Sequence, residues 1–157
     1  MTQWKKQGIL YAPPAKGRHP KLLTHAANPL AVNLEGDIYR IFYSGRDNSN
    51  RSSVGAVDVD IINRKIVEEH DCPFFEHGPK GSFYADGVSI GNCYSVNGTF
   101  YILFMGWQAP QNNHWRGDIG RLVVNPDLTL QLDSMDPLMT SDVIDPISLS
   151  YPFVIRK

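Results

Sequence analysis

The sequence predicts an all-β protein built from four-stranded antiparallel meanders. Short alternating runs of apolar and polar residues, separated by Gly, Asn-Gly and Pro, recur along the 157 residues, while helical periodicity is nearly absent. The same series of strands and loops occurs twice, at roughly the period of propeller blades. With 42% hydrophobic residues, the chain has enough apolar side chains for the core of one ordinary domain.

The first meander is predicted at about residues 23–70. Residues 30–34 and 38–43 form two strands joined by the tight turn Glu35-Gly36-Asp37, which indicates a hairpin. A polar loop separates this hairpin from a third strand at residues 53–59. A turn near Asn63 then leads to a short edge strand at residues 65–69.

The second meander is predicted at about residues 84–133 and repeats the order of the first. Its strands are expected at residues 87–90, 99–105, 118–124 and 128–132, with a polar loop between the second and the third. A further start, at about residues 147–157, predicts the first strand of a third meander. The alignment of the three starts places Asn28, Asp86 and Tyr151 at equivalent positions.

This organisation favours a β-propeller, with two blades and the first strand of a third in a single incomplete domain spanning residues 1–157. The alternative is a β-sandwich, which also uses many short strands, but the repeat preserves strand order and loop character as well as strand count. Two blades cannot close a ring, and open sheet edges promote association. We therefore expect either a longer protein or self-association through unpaired blade surfaces.

In such a meander, the start of strand one and the loop between strands two and three lie on the same face. Asp86 begins a strand among aromatic and β-branched residues, where an ionised carboxylate is costly unless it is paired or lies at the mouth of a cavity. It is either part of an Asp-Gly turn or a functional acid. Seven other residues are expected on the same face and are candidates for binding a substrate: His25, Asn28, Arg46, Asp47, Tyr84, Trp107 and Arg116.

The segments NPLAV, YSGRD, YADGVSI, FMGW and SYPFV, in this order, resemble the five-bladed β-propeller glycosidases of glycoside hydrolase families 32, 43, 68 and 130. The resemblance runs from about residue 23 to the C-terminus and covers the N-terminal half of such a propeller. It implies a protein that hydrolyses or phosphorolyses a glycosidic bond. In the hydrolase families an acid begins the inner strand of each of the first three blades, whereas here only Asp86 is acidic, a pattern closer to the family 130 phosphorylases.

The chemistry of these residues leaves three functions open. Hydrolysis uses two carboxylates that flank the scissile bond, and Asn28 can form hydrogen bonds but cannot ionise. Phosphorolysis needs one general acid, which would be Asp86, together with cations such as Arg46 and Arg116 that hold the phosphate. The third function, a carbohydrate-binding or scaffolding propeller without catalysis, follows from the missing acids.

The composition of the chain argues against several other kinds of partner and site. The net charge is −1 and no run of like charge occurs, so neither nucleic acid nor a membrane surface is an expected partner. The apolar residues 8–12 are too few for a signal segment or a membrane span. Cys72 and Cys93 have no metal-ligand spacing and fit a reducing cytoplasm. We expect a carbohydrate partner and neither a metal nor a cofactor.

Overall fold

A computed structural model describes residues 3–14, 16–110 and 114–155, and in this part of the chain all regular structure is β-strand. Eight strands form one open sheet in the order β1-β2-β3-β5-β6-β7-β8, with β4 paired to β3. The strands are β1 (Thr24–Glu35), β2 (Ile38–Arg46), β3 (Ser52–Asp60), β4 (Lys65–Glu69), β5 (Gly87–Val96), β6 (Thr99–Gln108), β7 (Arg116–Val124) and β8 (Leu130–Leu132). The predicted all-β class is confirmed.

The sheet consists of two antiparallel meanders, β1–β4 and β5–β8. A single parallel pair, Ser52 and Gly87, joins β3 to β5. Several strands are longer than predicted: β1 begins at Thr24 because two irregularities between Thr24 and Leu30 keep its N-terminal part paired with β2. Such bulges interrupt the alternation of polar and apolar residues from which strands are predicted.

The main hydrophobic cluster contains residues of both meanders. Phe42 and Val54 of the first meander pack in it with Tyr84 and Phe104, which belong to the second meander and the segment before it. These four side chains are at most 6% exposed. Burial of this apolar surface stabilises the contact between the meanders.

The repeat extends to individual hydrogen bonds outside the strands. In the first meander the N–H of Val54 donates to the carbonyl of residue 75 at 2.7 Å, and the N–H of residue 74 donates to Val54 at 2.8 Å. In the second, the N–H of Ile119 donates to residue 139 at 2.8 Å, and the N–H of residue 138 donates to Ile119 at 2.7 Å. A segment after each fourth strand therefore returns to the third strand in the same way.

Two glycines show the same equivalence in side-chain packing. Gly55 in β3 lies against the ring of Tyr43, and Gly120 in β7 lies against the ring of Phe104. A Cβ atom at either glycine would collide with the ring. The third strand of each meander thus requires a residue without a side chain opposite an aromatic residue of the second strand.

The predicted first strand of a third meander, at about residues 147–157, is not formed by residues 147–155, and residues 156–157 lie outside the described part of the chain. Residues 149–155 have no strand conformation. The N–H of Leu149 donates to the carbonyl of Gly117 at 2.9 Å, and the N–H of Val154 donates to Oδ1 of Asn92 at 3.3 Å. These residues contact separate parts of the second meander. A strand needs continuous backbone hydrogen bonds to one neighbouring strand, and alternation of apolar and polar residues does not show whether such a neighbour is present.

No helix in the described residues is long and apolar enough to cross a membrane.

Candidate functional site

A cleft of about 380 Å³ lies where the two meanders meet. Three of the predicted substrate-binding residues line it: Asn28 in β1, Arg46 at the end of β2, and Trp107 in β6. Hydroxyl, amide and aromatic side chains dominate its wall. The described lining residues are Ala27, Asn28, Ser44, Arg46, Asn50, Ser52, Ser89, Met105, Trp107, Trp115, Ser150 and Tyr151.

The backbone of β1 determines how its two predicted site residues are placed. Asn28 and His25 have positive φ angles of 52° and 64°, in a stretch where the register with β2 shifts. Asn is among the residues that tolerate this left-handed conformation best. Asn28 lines the cleft, whereas His25 is exposed outside the lining, with its Nδ1 2.9 Å from Oγ1 of Thr24.

Arg46 is the one charged residue among the described residues that line the cleft. Its Nη1 donates to Oδ1 of Asn50 at 2.6 Å. Asn50 has a positive φ of 66° in the turn after β2. This hydrogen bond restrains the guanidinium group at the edge of the cleft, where it can still donate to a ligand through its other N–H groups.

Trp107 is held in position by the junction between the meanders. Its indole Nε1 donates to Oγ of Ser52 at 3.0 Å. Gly87 permits this contact, because a Cβ atom there would collide with both the indole and the Ser52 hydroxyl. The only parallel strand pair of the described sheet therefore also orients an aromatic wall of the cleft.

Two further aromatic residues, Trp115 and Tyr151, complete the wall of the cleft. Trp115 is 40% exposed and Tyr151 is 70% exposed, so both have ring surface that solvent or a ligand can reach. Tyr151 is the residue that the sequence aligns with Asn28 and Asp86, and it has a positive φ of 47°. Although residues 149–155 form no strand, the start of this segment contributes to the same cleft.

Asp86 lies beside the cleft but is not among its lining residues. Its Oδ2 accepts a hydrogen bond from the N–H of Ala109 at 2.7 Å. Its own N–H donates to the carbonyl of Trp107 at 3.1 Å, and its carbonyl accepts from the N–H of Ser52 at 3.2 Å. Asp86 therefore connects the start of β5 with the end of β6 and the start of β3, and it lies in a tight turn that the N–H of Gly87 closes by donating to the carbonyl of Tyr84 at 3.2 Å.

Asp47 stabilises the loop after β2. Its carboxylate accepts hydrogen bonds from the N–H of Ser49 at 2.9 Å, the N–H of Arg51 at 2.8 Å, and Nε of Arg51 at 2.9 Å. Burial by itself would raise the pKa of Asp47, but these hydrogen bonds and the charge of Arg51 outweigh it and lower the pKa below its usual value. The side chain is 8% exposed and lies outside the cleft lining.

Tyr84 and Arg116, two further predicted substrate-binding residues, also lie outside the cleft lining. Tyr84 is 6% exposed and stacks on Phe75 with ring centroids 5.7 Å apart, and burial raises its pKa. Arg116 pairs with Asp118, with Nε 3.0 Å from Oδ2, and donates to Oγ1 of Thr140 at 2.7 Å. One side chain packs in the core, and the other forms part of a local ion pair.

Four serine residues of the cleft were not predicted from the sequence: Ser44, Ser52, Ser89 and Ser150. Ser44 and Ser52 are 3% and 2% exposed, which is unusual for hydroxyl side chains. Ser44 could have been identified from the sequence, because it is a polar residue within the aromatic run of β2 at a position where a buried side chain is expected. Ser44 Oγ accepts from the N–H of Ile90 at 3.1 Å, so it also connects the two meanders.

The chain matches no protein-family model. It is similar to two proteins of Mycobacterium tuberculosis, "Uncharacterized protein MT1551" of strain CDC 1551 / Oshkosh and "Uncharacterized protein Rv1502" of strain ATCC 25618 / H37Rv. Each is 37% identical over 154 residues, which are 98% of this chain and 51% of the relative. The chain thus spans about half the length of the curated relatives it matches, and their names assign no activity.

Proposed function

We propose that the cleft between the two meanders binds a carbohydrate. The observation that carries this proposal is the composition of its described lining, in which three aromatic residues face amide and hydroxyl groups. Small-molecule sites typically combine apolar and aromatic walls with a few placed polar groups, in volumes of about 300–1,000 Å³. At about 380 Å³ the cleft falls in this range.

The polar groups of the cleft suit a neutral, hydroxyl-rich ligand. Asn28 and Asn50 offer both donors and acceptors, and the serine hydroxyls can rotate to serve in either role. A sugar ring presents hydroxyls at its edge and C–H groups on its faces, so it matches amide groups and aromatic rings together. Arg46 alone among the described lining residues carries a charge, which gives a polyanion few partners.

A matched pair of tryptophan variants tests this proposal. Trp115→Ala removes an exposed ring of the cleft, whereas Trp4→Ala removes a fully exposed ring that lies outside the cleft lining. After a glycan array has identified a ligand, we expect Trp115→Ala to weaken binding about tenfold in calorimetry, since an aromatic contact contributes roughly 1 kcal/mol beyond area burial. Trp4→Ala should bind like the wild type. An array without binding, or equal affinities for both variants, would contradict the proposal.

A second candidate is catalysis on a glycosidic bond, by hydrolysis or phosphorolysis, with Asp86 as the leading acid. The supporting observation is that Asp86 is half-buried at the start of β5 and hydrogen-bonded through its backbone to Ser52 and Trp107, which line the cleft. Binding is favoured over catalysis because no carboxylate is among the described lining residues. Hydrolysis of a glycosidic bond usually requires two carboxylates that flank the bond.

The variant Asp86→Asn separates catalysis from binding. An amide oxygen can still accept the hydrogen bond from Ala109, so folding should be retained. If Asp86 is the acid, turnover of aryl glycosides, measured with and without inorganic phosphate, should disappear while glycan affinity stays within about twofold. Turnover by the variant would remove Asp86 from the mechanism, and a wild-type protein that binds but never turns over would leave the binding function alone.

We also infer that the two meanders are consecutive blades of a propeller and that a further meander packs on the second one. Support comes from the repeated hydrogen bonds to residues 74–75 and 138–139. Phe75 packs against Tyr84 and Phe104, whereas Leu138 and Met139 are 49% and 60% exposed. A meander of a second copy of this chain would dock on this face as the second meander docks on the first. The relatives, about twice as long, have length for more meanders.

A further inference from the structure

We propose that Asp58, Glu68 and His70 form a binding site for a divalent transition metal, with Zn²⁺ as the best match. The site lies at the β3–β4 edge of the first meander, beside a second cleft of about 420 Å³. The described residues that line this cleft are all different from those that line the cleft between the two meanders. The proposal is therefore independent of the proposed function.

Strand pairing brings the three side chains together. Asp58 in β3 and Glu68 in β4 are direct cross-strand partners, and His70 follows Glu68 by two residues, which places both on the same side of an extended chain. One possible ligand atom from each residue lies within 4.8 Å of the others. No metal site was expected from the sequence, because these ligands come from two strands and have no recognisable local spacing.

The distance between His70 and Asp58 matches the distance between two ligands of one metal ion. Nε2 of His70 lies 3.2 Å from Oδ2 of Asp58. Two nitrogen or oxygen ligands at about 2.0–2.1 Å from a tetrahedral Zn²⁺ are about 3.3 Å apart. Two of the ligands are therefore already at the separation that the ion requires.

The hydrogen bonding of His70 also leaves room for a ligand. Its Nε2 is buried and lies 3.2 Å from Oδ2 of Asp58, but this contact lacks the geometry of a hydrogen bond. A buried polar atom without a partner costs about 1–3 kcal/mol, and such atoms usually have a partner such as water or an ion. Coordination of a metal by the Nε2 lone pair would satisfy this atom directly.

Arg40 is compatible with the metal and supports the site. Its Nε and Nη2 each donate to one oxygen of Asp58 at 2.8 Å. A carboxylate has about four lone-pair positions, so two remain for a metal, and a donor of this kind fixes the orientation of a ligand. Asp58 and Glu68 contribute two negative charges against one positive charge from Arg40, and Glu69 and Asp71 line the same cleft.

The surroundings allow an ion to enter and to complete its coordination. Glu68 has a side chain that is 63% exposed, and the adjoining cleft is open to solvent on this side. Cys72, an exposed free cysteine, lines the same cleft two residues after His70. An imidazole with two carboxylates suits Zn²⁺, and water can take the fourth position.

Titration of the full chain with Zn²⁺, and with Co²⁺ as a spectroscopic substitute, tests the site. We expect one equivalent of metal to bind and to raise the Tm. His70→Gln and Glu68→Gln should each weaken binding at least about tenfold, as expected when a metal ligand is lost. His114→Gln, at an exposed histidine outside both cleft linings, is the matched control and should bind like the wild type.

Two results would overturn the proposal. The first is the absence of binding, or binding that neither His70→Gln nor Glu68→Gln changes. The second is binding that Cys72→Ser abolishes while both ligand variants retain it, because this identifies the thiol alone as the binding group. Since Glu68 is largely exposed, its variant should fold even if His70→Gln does not, and circular dichroism checks this.

Discussion

Residues 74–75 and 138–139 have the same backbone hydrogen bonds but opposite surroundings. In both pairs the chain returns from the fourth strand of a meander to its third strand. Phe74 and Phe75 are half-buried beside the main cluster, whereas Leu138 and Met139 are 49% and 60% exposed. The sequence of each meander determines the backbone path locally, whereas burial depends on what packs against that path.

Aromatic side chains cover Phe74 and Phe75. Phe75 stacks on Tyr84 at 5.7 Å and lies 6.1 Å from Phe104, while Phe74 packs edge-on against Phe42 at 5.3 Å. Beyond Met139, large apolar side chains stay exposed through the described C-terminal segment: Val143, Ile144, Ile147, Tyr151, Phe153, Val154 and Ile155. An exposed apolar surface of this extent normally marks an interface.

Equivalent alanine substitutions in the two segments should have very different effects on stability. We expect Phe75→Ala to lower the free energy of unfolding by about 2–3 kcal/mol, because it opens a cavity beside Tyr84 and Phe104. Met139→Ala should change it by less than about 0.5 kcal/mol in the monomer, since its side chain is already exposed. Urea unfolding at low protein concentration measures both. Equal losses would show that the two segments do not differ in packing.

The sequence predicted the part of the fold that local patterns control. Short apolar or alternating runs bounded by turn residues located all eight strands, including β3, which is buried along eight consecutive residues and does not alternate. These runs did not locate the bulges at His25 and Asn28, where positive φ angles replace alternation. They also predicted a strand at residues 149–155, where the structure provides no ladder.

The candidate site was predictable in its location but not in all of its members. Asn28, Arg46 and Trp107 were predicted to lie on one face of the meanders, and all three line one cleft in the structure. Tyr84 was predicted on the same face but is buried in the core. The position of a residue on a face does not show whether its side chain points toward solvent or into the core. Side-chain direction depends on neighbouring strands that local sequence does not encode.

Removing the exposed apolar side chains should abolish association of the chain with a second copy. We expect the wild type to sediment as a dimer or larger species at micromolar concentration, and Leu138→Ser/Met139→Ser as a monomer. The matched control is Ile61→Ser/Ile62→Ser, which changes two residues that are 40% and 67% exposed after β3, away from this face. A wild-type monomer with sharp cooperative unfolding would contradict the docking of a second copy.

The smallest expected effect concerns the loops that follow the second strands, which are stabilised differently in the two meanders. The loop after β2 is held by its own Asp47, whereas the N–H of Ala109 after β6 is held by Asp86. The pKa of Asp47 is lowered in the folded protein, because bonds from Arg51 and Ser49 outweigh the effect of burial. Its contribution to stability is therefore present above the unfolded pKa of about 3.9 and is lost as the pH falls through the lower folded value.

Asp47→Asn should lower the free energy of unfolding at pH 7 by about 1 kcal/mol, because the amide keeps one acceptor but loses the ion pair with Arg51. The difference from the wild type should begin to shrink below about pH 4, where the carboxylate of the unfolded wild type takes up a proton, and should shrink further as the pH approaches the lower pKa of the folded state. Urea unfolding between pH 7 and pH 3 measures this, with Asp37→Asn in the exposed turn after β1 as the control. A difference that stays constant over this range would show that ionisation of Asp47 does not stabilise its loop.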